Sequence, residues 1–141
     1  MKEKINSYLK ASKKGSDWLV SKQKDDGSIT NVEVYYKATY VLGITGRIPE
    51  ANKLINWIKT DVMKDNGDLN HNTYKNRWIA QDIHRLGRFD VSLPAIRYIL
   101  ITQAKCGGFC TTEDINQIVE PIYTARGGLC SIDIIGNKHK M

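Results

Sequence analysis

The acid–base chemistry open to this chain runs through Asp82. A buried carboxylate can act as a general acid once burial raises its pKa. The alternative is an ion pair with Arg85 or Arg77, of which Arg85 stands at the i+3 spacing that faces Asp82 on a helix. His84 lies two residues beyond Asp82, so the two leave different helix faces and form no dyad. Three cysteines, Cys106, Cys110 and Cys130, offer thiol or metal chemistry. A zinc set drawn from them and His139 would match no C-x2-C spacing, since three residues separate Cys106 from Cys110, and no second pair exists. An odd count without an export signal predicts free thiols. Cys110 precedes a predicted helix N-terminus, where a thiol pKa falls, but no His or Asn stands beside it to complete a nucleophilic set. We therefore expect neither a metal nor a cofactor.

The elements that must position these groups repeat. KGSDWLVSKQKDDGSI (14–29) returns as KLINWIKTDVMKDNGDL (53–69) and as PAIRYILITQAKCGGF (94–109). Each copy carries an aromatic (Trp18, Trp57, Tyr98), then Leu or Ile, then a Gly turn. The turns at Gly27, Gly67 and Gly107 are spaced by 40 residues. Gly46-Arg47 and Gly87-Arg88 repeat in nearly the same register, and Arg126-Gly127 falls near the third position. A fixed period of this size predicts stacked supersecondary units that bury one another's apolar faces. The units are about 14–46, 53–87 and 94–127, followed by a tail, 129–141, in a single helical-repeat domain.

Helical spacing fills the units. A short amphipathic helix over 2–11 has Ile5, Tyr8 and Leu9 on one face, and Ser16 or Asp17 caps the next helix. A second runs over about 31–45. A third opens at Pro49, with Ala51, Leu54, Ile55, Ile58 and Val62 inward. A fourth covers about 73–86. A fifth starts near Asp90 or Ser92 with Pro94 in its first turn, and a sixth begins near Thr112, with Pro121 inside it. No stretch alternates convincingly as a strand, so the chain is predicted to be all-α. Net charge is +6, but the basic residues are dispersed and lack interleaved aromatics, which argues against nucleic acid as partner. No apolar run reaches the ~20 residues of a membrane span. With no secretory h-region, the expected location is the cytoplasm.

Lys14, Gly15, Trp18, Leu19, Gln23 and Gly27 form K-G-x-x-W-L-x-x-x-Q-x-x-x-G, which resembles the QW repeat of the squalene–hopene and oxidosqualene cyclases. Ala95, Tyr98, Ile99, Gln103 and Gly107 repeat it. The middle copy places Val62 at the Gln position, and Ile29 replaces the usual closing Trp. The resemblance covers roughly Lys14 to Gly127. Independently of it, stacked helix pairs let Gln23 and Gln103 clamp exposed backbone ends of adjacent helices, and let each aromatic pack on a neighbouring Gly turn. The terpenoid cyclase and protein prenyltransferase superfamily folds as an α/α toroid of about five to seven helix pairs. This chain has about three, so a partial toroid is expected, closed by a second copy or a partner chain, or left as an open arc.

In such a toroid the inner helices are about 31–45, 73–86 and 113–126. The resemblance then implies an apolar, isoprenoid ligand held by Tyr36, Lys37, Tyr40, Asn76, Trp78, Gln81 and Glu120, with Asp82 as acid. Aromatic faces suit carbocations, and Lys37 suits a diphosphate. Tyr35, Tyr74, Arg77, Asn116 and Gln117 lie on the same stretches. Aromatics at this spacing serve equally well as ordinary core. The family's D-x-D-D acid motif is absent, as is the Asp-x-Cys zinc pair, which leaves catalysis unsupported. A non-catalytic helical-repeat interaction module, or a fragment of a larger toroid enzyme, is the alternative.

Overall fold

The computed structural model describes residues 2–29, 32–104 and 108–110. Those residues are all-α: five α-helices, one short π-type turn and two isolated β-bridges, with no strand among them. None of their helices is long and apolar enough to cross a membrane. The predicted sixth helix, the tail 129–141, Glu120, Cys106, Cys130 and His139 lie outside the described residues. Two compact units divide at residue 60, and each is described by itself.

The first unit holds α1 (Lys2–Ser21), α2 (Val32–Ile44) and α3 (Ile48–Trp57). Where two helices were expected over 2–21, one continuous helix runs. Ser16 does not cap a new start; its hydroxyl donates back to the Lys13 carbonyl at 3.0 Å, a bond within one helix. Gly15 is the weakest helix former at the expected break, and its cost of about 1 kcal/mol does not stop a run of Lys, Ala and Leu.

At the end of α1 the chain turns on Gly27, whose φ is +90°. Its amide donates to Lys24 O at 2.9 Å, Lys24 N donates to Ser28 O at 2.9 Å, and the Asp26 carboxylate accepts from Ser28 N at 2.8 Å. The Ser28 hydroxyl first, and this amide bond second, hold the Asp26 carboxyl below its usual value. Gln23 Nε2 donates to Gly27 O at 3.0 Å and to Glu50 O at 2.9 Å, tying the turn to the start of α3. Gln23 thus clamps the turn to α3, through a first-turn carbonyl rather than the exposed helix end that was expected.

The chain leaves α2 through Gly46 (φ +75°), with Arg47 N donating to Leu42 O at 2.8 Å, a Schellman closure. Helix α3 starts two residues later, with Pro49 in its first turn. Tyr35, Ala38 and Leu42 of α2 and Ala51, Leu54 and Ile55 of α3 are buried, and the two helices pack together. Tyr35 meets Trp57 edge to face, centroids 5.5 Å apart. Burial pushes the Tyr35 hydroxyl up to about 12.

The second unit repeats this geometry with α4 (Thr73–Arg85) and α5 (Phe89–Ile101). Gly67 again has φ +90°, Gly67 N donates to Lys64 O at 2.9 Å, and Lys64 N donates to Asp68 O at 2.8 Å. Asn72 caps α4 by accepting from Lys75 N at 3.0 Å. Gly87 (φ +75°) and the Arg88 N to Ile83 O bond of 3.2 Å reproduce the corner at Gly46. Ile79, Ala80 and Ile83 of α4 and Val91, Ala95, Ile96 and Ile99 of α5 are buried where these helices pack. Helix α5 begins at Phe89, earlier than expected, so Pro94 lies in its interior rather than its first turn. The physical reason is the corner: the closure at Gly87 delivers the chain in helical register two residues on, as Gly46 does for Ile48.

A π-type turn, Ile58–Val62, follows α3. Trp57 and Tyr98 each lie eleven residues beyond their corner glycine, but Trp57 precedes its turn glycine by ten residues and Tyr98 by nine. The wider turn absorbs the extra residue. Counted back from the turn glycines, the Gln position of the middle copy is therefore Met63, not Val62. The third turn keeps the register: Ala104 N donates to Gly108 O at 2.7 Å, and Gln103 bridges to Phe109 as Gln23 does to Ile29.

The three aromatics do not share one environment. Trp18 is 56% exposed with Lys22 over its ring at 5.8 Å, Trp57 is half-buried on Tyr35, and Tyr98 is buried. The period therefore resides in the glycine turns and corners rather than in the rings.

Candidate functional site

The expected site residues fall on two helices. In α2, Tyr36 and Lys37 are half-buried and Tyr40 is 41% exposed. Their spacing places them on the face opposite Tyr35, Ala38, Thr39 and Leu42, all of which are buried. The Lys37 ammonium lies 5.5 Å from the centre of the Tyr36 ring, a cation–π contact. In α4, Trp78 and Gln81 are half-buried, and Trp78 lies beside Tyr74. The Tyr74 and Trp78 rings meet edge to face at 6.3 Å, and the Arg77 guanidinium stands 5.7 Å from the Tyr74 ring.

Counted back from the corner glycines, these positions correspond. Lys37 and Trp78 are both nine residues before their corner, and Tyr40 and Gln81 are both six before. By the same count Asn76 corresponds to Tyr35, the buried aromatic of α2.

Asn76 accordingly faces inward and is not placed to meet a ligand. It is 1% exposed, and its Nδ2 donates to Asp68 Oδ1 at 2.8 Å and to His71 O at 3.0 Å. Asp68 also accepts from Asn70 N at 2.9 Å and from Lys64 Nζ at 2.7 Å. Burial alone would raise the Asp68 carboxyl, but the bonds from Lys64, Asn76 and the Asn70 amide outweigh it and hold it below the usual carboxylate range. The cluster pins the loop between the Gly67 turn and α4. Asn70, at φ +61°, takes the left-handed conformation that Asn tolerates best after Gly. Nothing in the local sequence marked Asp68 for this role, because its partners lie four residues before it and eight after it across a loop.

Asp82 is 1% exposed, and Arg85 Nη1 donates to its Oδ1 at 3.4 Å. Of the two expected readings of this carboxylate, the ion pair is the one the geometry presents. His84 turns to Ser92, Nδ1 to Oγ 3.1 Å, and tilts against the Phe89 ring at 4.8 Å. The Cys110 thiol is free and buried. Among the described residues no three His, Cys, Asp or Glu side chains gather as a metal site would require.

Sequence reasoning missed a groove in the first unit. Its volume is about 540 Å3, and Leu9, Ser12, Lys13 and Ser16 of α1 face Ile44 to Arg47 across it. Asp17, on the same helix, accepts from Lys13 Nζ at 3.0 Å and from Arg47. The Lys13 bond, with Arg47 added, holds its carboxyl below the usual value. The signal was present in Leu9 and Lys13, but only the corner at Gly46 brings Arg47 to them.

Against known protein families, curated proteins and solved structures, the chain matches none.

Proposed function

We propose that the chain is a partial α/α-toroid-type array, similar to the terpenoid cyclase and protein prenyltransferase superfamily, whose aromatic helix faces, that of α2 in the first unit and that of α4 in the second, each suit an apolar, isoprenoid ligand. The observation that carries this reading is the repeated pair of positions, Lys37 with Trp78 and Tyr40 with Gln81, each partly open to solvent, with Lys37 beside Tyr36 and Trp78 beside Tyr74. The two-bond clamp of Gln23 and the paired glycine turns support the kinship. Rings flanked by a cation would hold a polyprenyl chain by its π faces and a diphosphate by Lys37.

Binding is favoured over conversion. Asp82, the one candidate acid, is buried in an ion pair with Arg85, and the acid and zinc motifs of the superfamily are absent. Further helix pairs, from a second copy or a partner chain, would complete the ring that the kinship implies. A non-catalytic protein-interaction module is the second reading, favoured by the exposure of Tyr40, whose ring suits a peptide equally well.

Thermal shift with farnesyl diphosphate and with a polyprenol tests the first reading. A rise in Tm that Tyr36→Ala and Trp78→Ala each diminish supports it. No shift with either probe sinks it.

A further inference from the structure

Three apolar side chains of α1 stand in solvent. Ile5, Tyr8 and Leu9 are 51%, 69% and 63% exposed. They occupy the same helical face as Ser16 and Leu19, the two buried residues of α1, so the packing face of the helix runs on uncovered toward its N-terminus. Ile44, 64% exposed at the end of α2, adjoins Leu9 across the groove and extends the apolar patch.

Charge surrounds this patch asymmetrically. Helix α1 carries five lysines, Lys2, Lys4, Lys10, Lys13 and Lys14, against Glu3 and Asp17. At 100° per residue Lys4 falls on one edge of the Ile5–Tyr8–Leu9 stripe, and Lys2 and Lys13 fall on the other. Asp17 is already engaged by Lys13 and Arg47.

We propose that this face docks on the surface of an anionic lipid bilayer. A narrow apolar stripe edged on both sides by lysines is the arrangement of a helix lying in the plane of a membrane interface. The apolar side chains enter the boundary between headgroups and acyl chains. Their neighbouring lysines extend along the stripe and place their ammonium groups among the phosphates. Lys2 and Lys4, one on each edge, select this occupant over an apolar protein face, which would offer their ammonium groups no counter-charge; Lys13 is already paired with Asp17. The proposal is independent of the ligand reading of α2 and α4.

The test sediments the full chain with vesicles of phosphatidylcholine, alone or with phosphatidylserine added. About tenfold more protein is expected on the anionic vesicles at low ionic strength, falling as salt screens the lysines. Ile5→Ser with Leu9→Ser, and separately Lys2→Gln with Lys4→Gln, are each expected to lower retention by about tenfold. Helicity by circular dichroism should not change, because all four side chains are exposed. Equal retention on both vesicle types overturns the proposal. So does full retention by the Ile5→Ser, Leu9→Ser variant, which would mean bare adsorption to polyanions. Displacement from the vesicles by polyglutamate, with direct binding to that polymer unaffected by the Ser substitutions, overturns it in favour of an acidic protein partner.

Discussion

Gly67 lies directly against the backbone of Pro94. A β-carbon on Gly67 would fall 2.6 Å from the Pro94 carbonyl carbon and nearer still to its oxygen. Gly27 stands in the same relation to Lys53, also at 2.6 Å from the carbonyl carbon, and both glycines have φ +90°. Two independent demands, left-handed backbone and zero side-chain volume, meet at each position. Gly27→Ala and Gly67→Ala are therefore each expected to cost at least about 3 kcal/mol in urea unfolding. Gly46→Ala, with φ +75° and nothing within 4 Å, should cost only about 1 kcal/mol. Gly15→Ala, inside α1 with nothing within 4 Å, should stabilise by about 0.5–1 kcal/mol. A flat result across the four would mean that the Gly27 and Gly67 turns do not seat against α3 and α5.

The π-type turn at Ile58–Val62 makes a different prediction. Deleting Thr60, which is exposed, should convert the wide turn to ordinary α-helix and restore the spacing seen between Tyr98 and its turn glycine. The expected cost is below about 1 kcal/mol. Deleting the equally exposed Arg97 should instead rotate Tyr98 and Ile99 by about 100° away from their buried positions and unfold the second unit. Urea melts of the two deletions decide this: similar losses would show that the turn does not accommodate the extra residue.

How much of this was legible in the residues depended on whether a signal was local. Glycine at 27, 46, 67 and 87 announced turns and corners because only glycine meets their backbone demand cheaply, and helices α2 to α4 followed between them. The fusion of α1 was hidden because a serine before an aspartate reads as a cap until the Lys13 carbonyl is seen to take the Ser16 hydroxyl. Trp57 defeated simple counting, since a π-type turn leaves no mark in composition. Asn76 read as ligand-facing because the resemblance sets the N-terminal half of this helix at a cavity mouth. Its burial follows from Asp68, whose position across a loop no periodicity encodes. The Asp82 ion pair was legible, because Arg85 is three residues away on the same helix.

Acid should weaken the second unit first at Asp68. Its folded pKa lies below the unfolded carboxylate value of about 3.9, so its stabilisation is complete above that value and is lost as pH falls through the lowered folded pKa. Asp17 and Asp26 shift in the same direction but are open to solvent and contribute little. Asp68→Asn should lower stability at neutral pH by about 1–3 kcal/mol and flatten the acid limb of a Tm-against-pH profile. Asn76→Ala should raise the Asp68 pKa, read by carboxyl-carbon NMR, because it removes one of the bonds to the ionised form. An unchanged acid limb in Asp68→Asn would show that the carboxylate is not held as described.

Neighbouring tyrosines separate packing from ligand contact. Tyr35 is 2% exposed and packs edge to face on Trp57, whereas Tyr40, on the opposite face of α2, is 41% exposed. Tyr35→Ala should cost about 3–5 kcal/mol, the range for emptying a buried aromatic site. Tyr40→Ala should stay within about 0.5 kcal/mol of the parent, as exposed substitutions do. Ultraviolet titration adds a second readout: burial pushes the Tyr35 hydroxyl up to about 12, so it should ionise only as alkaline unfolding exposes it. If farnesyl diphosphate raises the parent Tm, Tyr40→Ala should lose most of that rise while keeping the parent's unliganded Tm. A loss of unliganded stability equal to that of Tyr35→Ala would instead make Tyr40 part of the core and remove α2 from the ligand face.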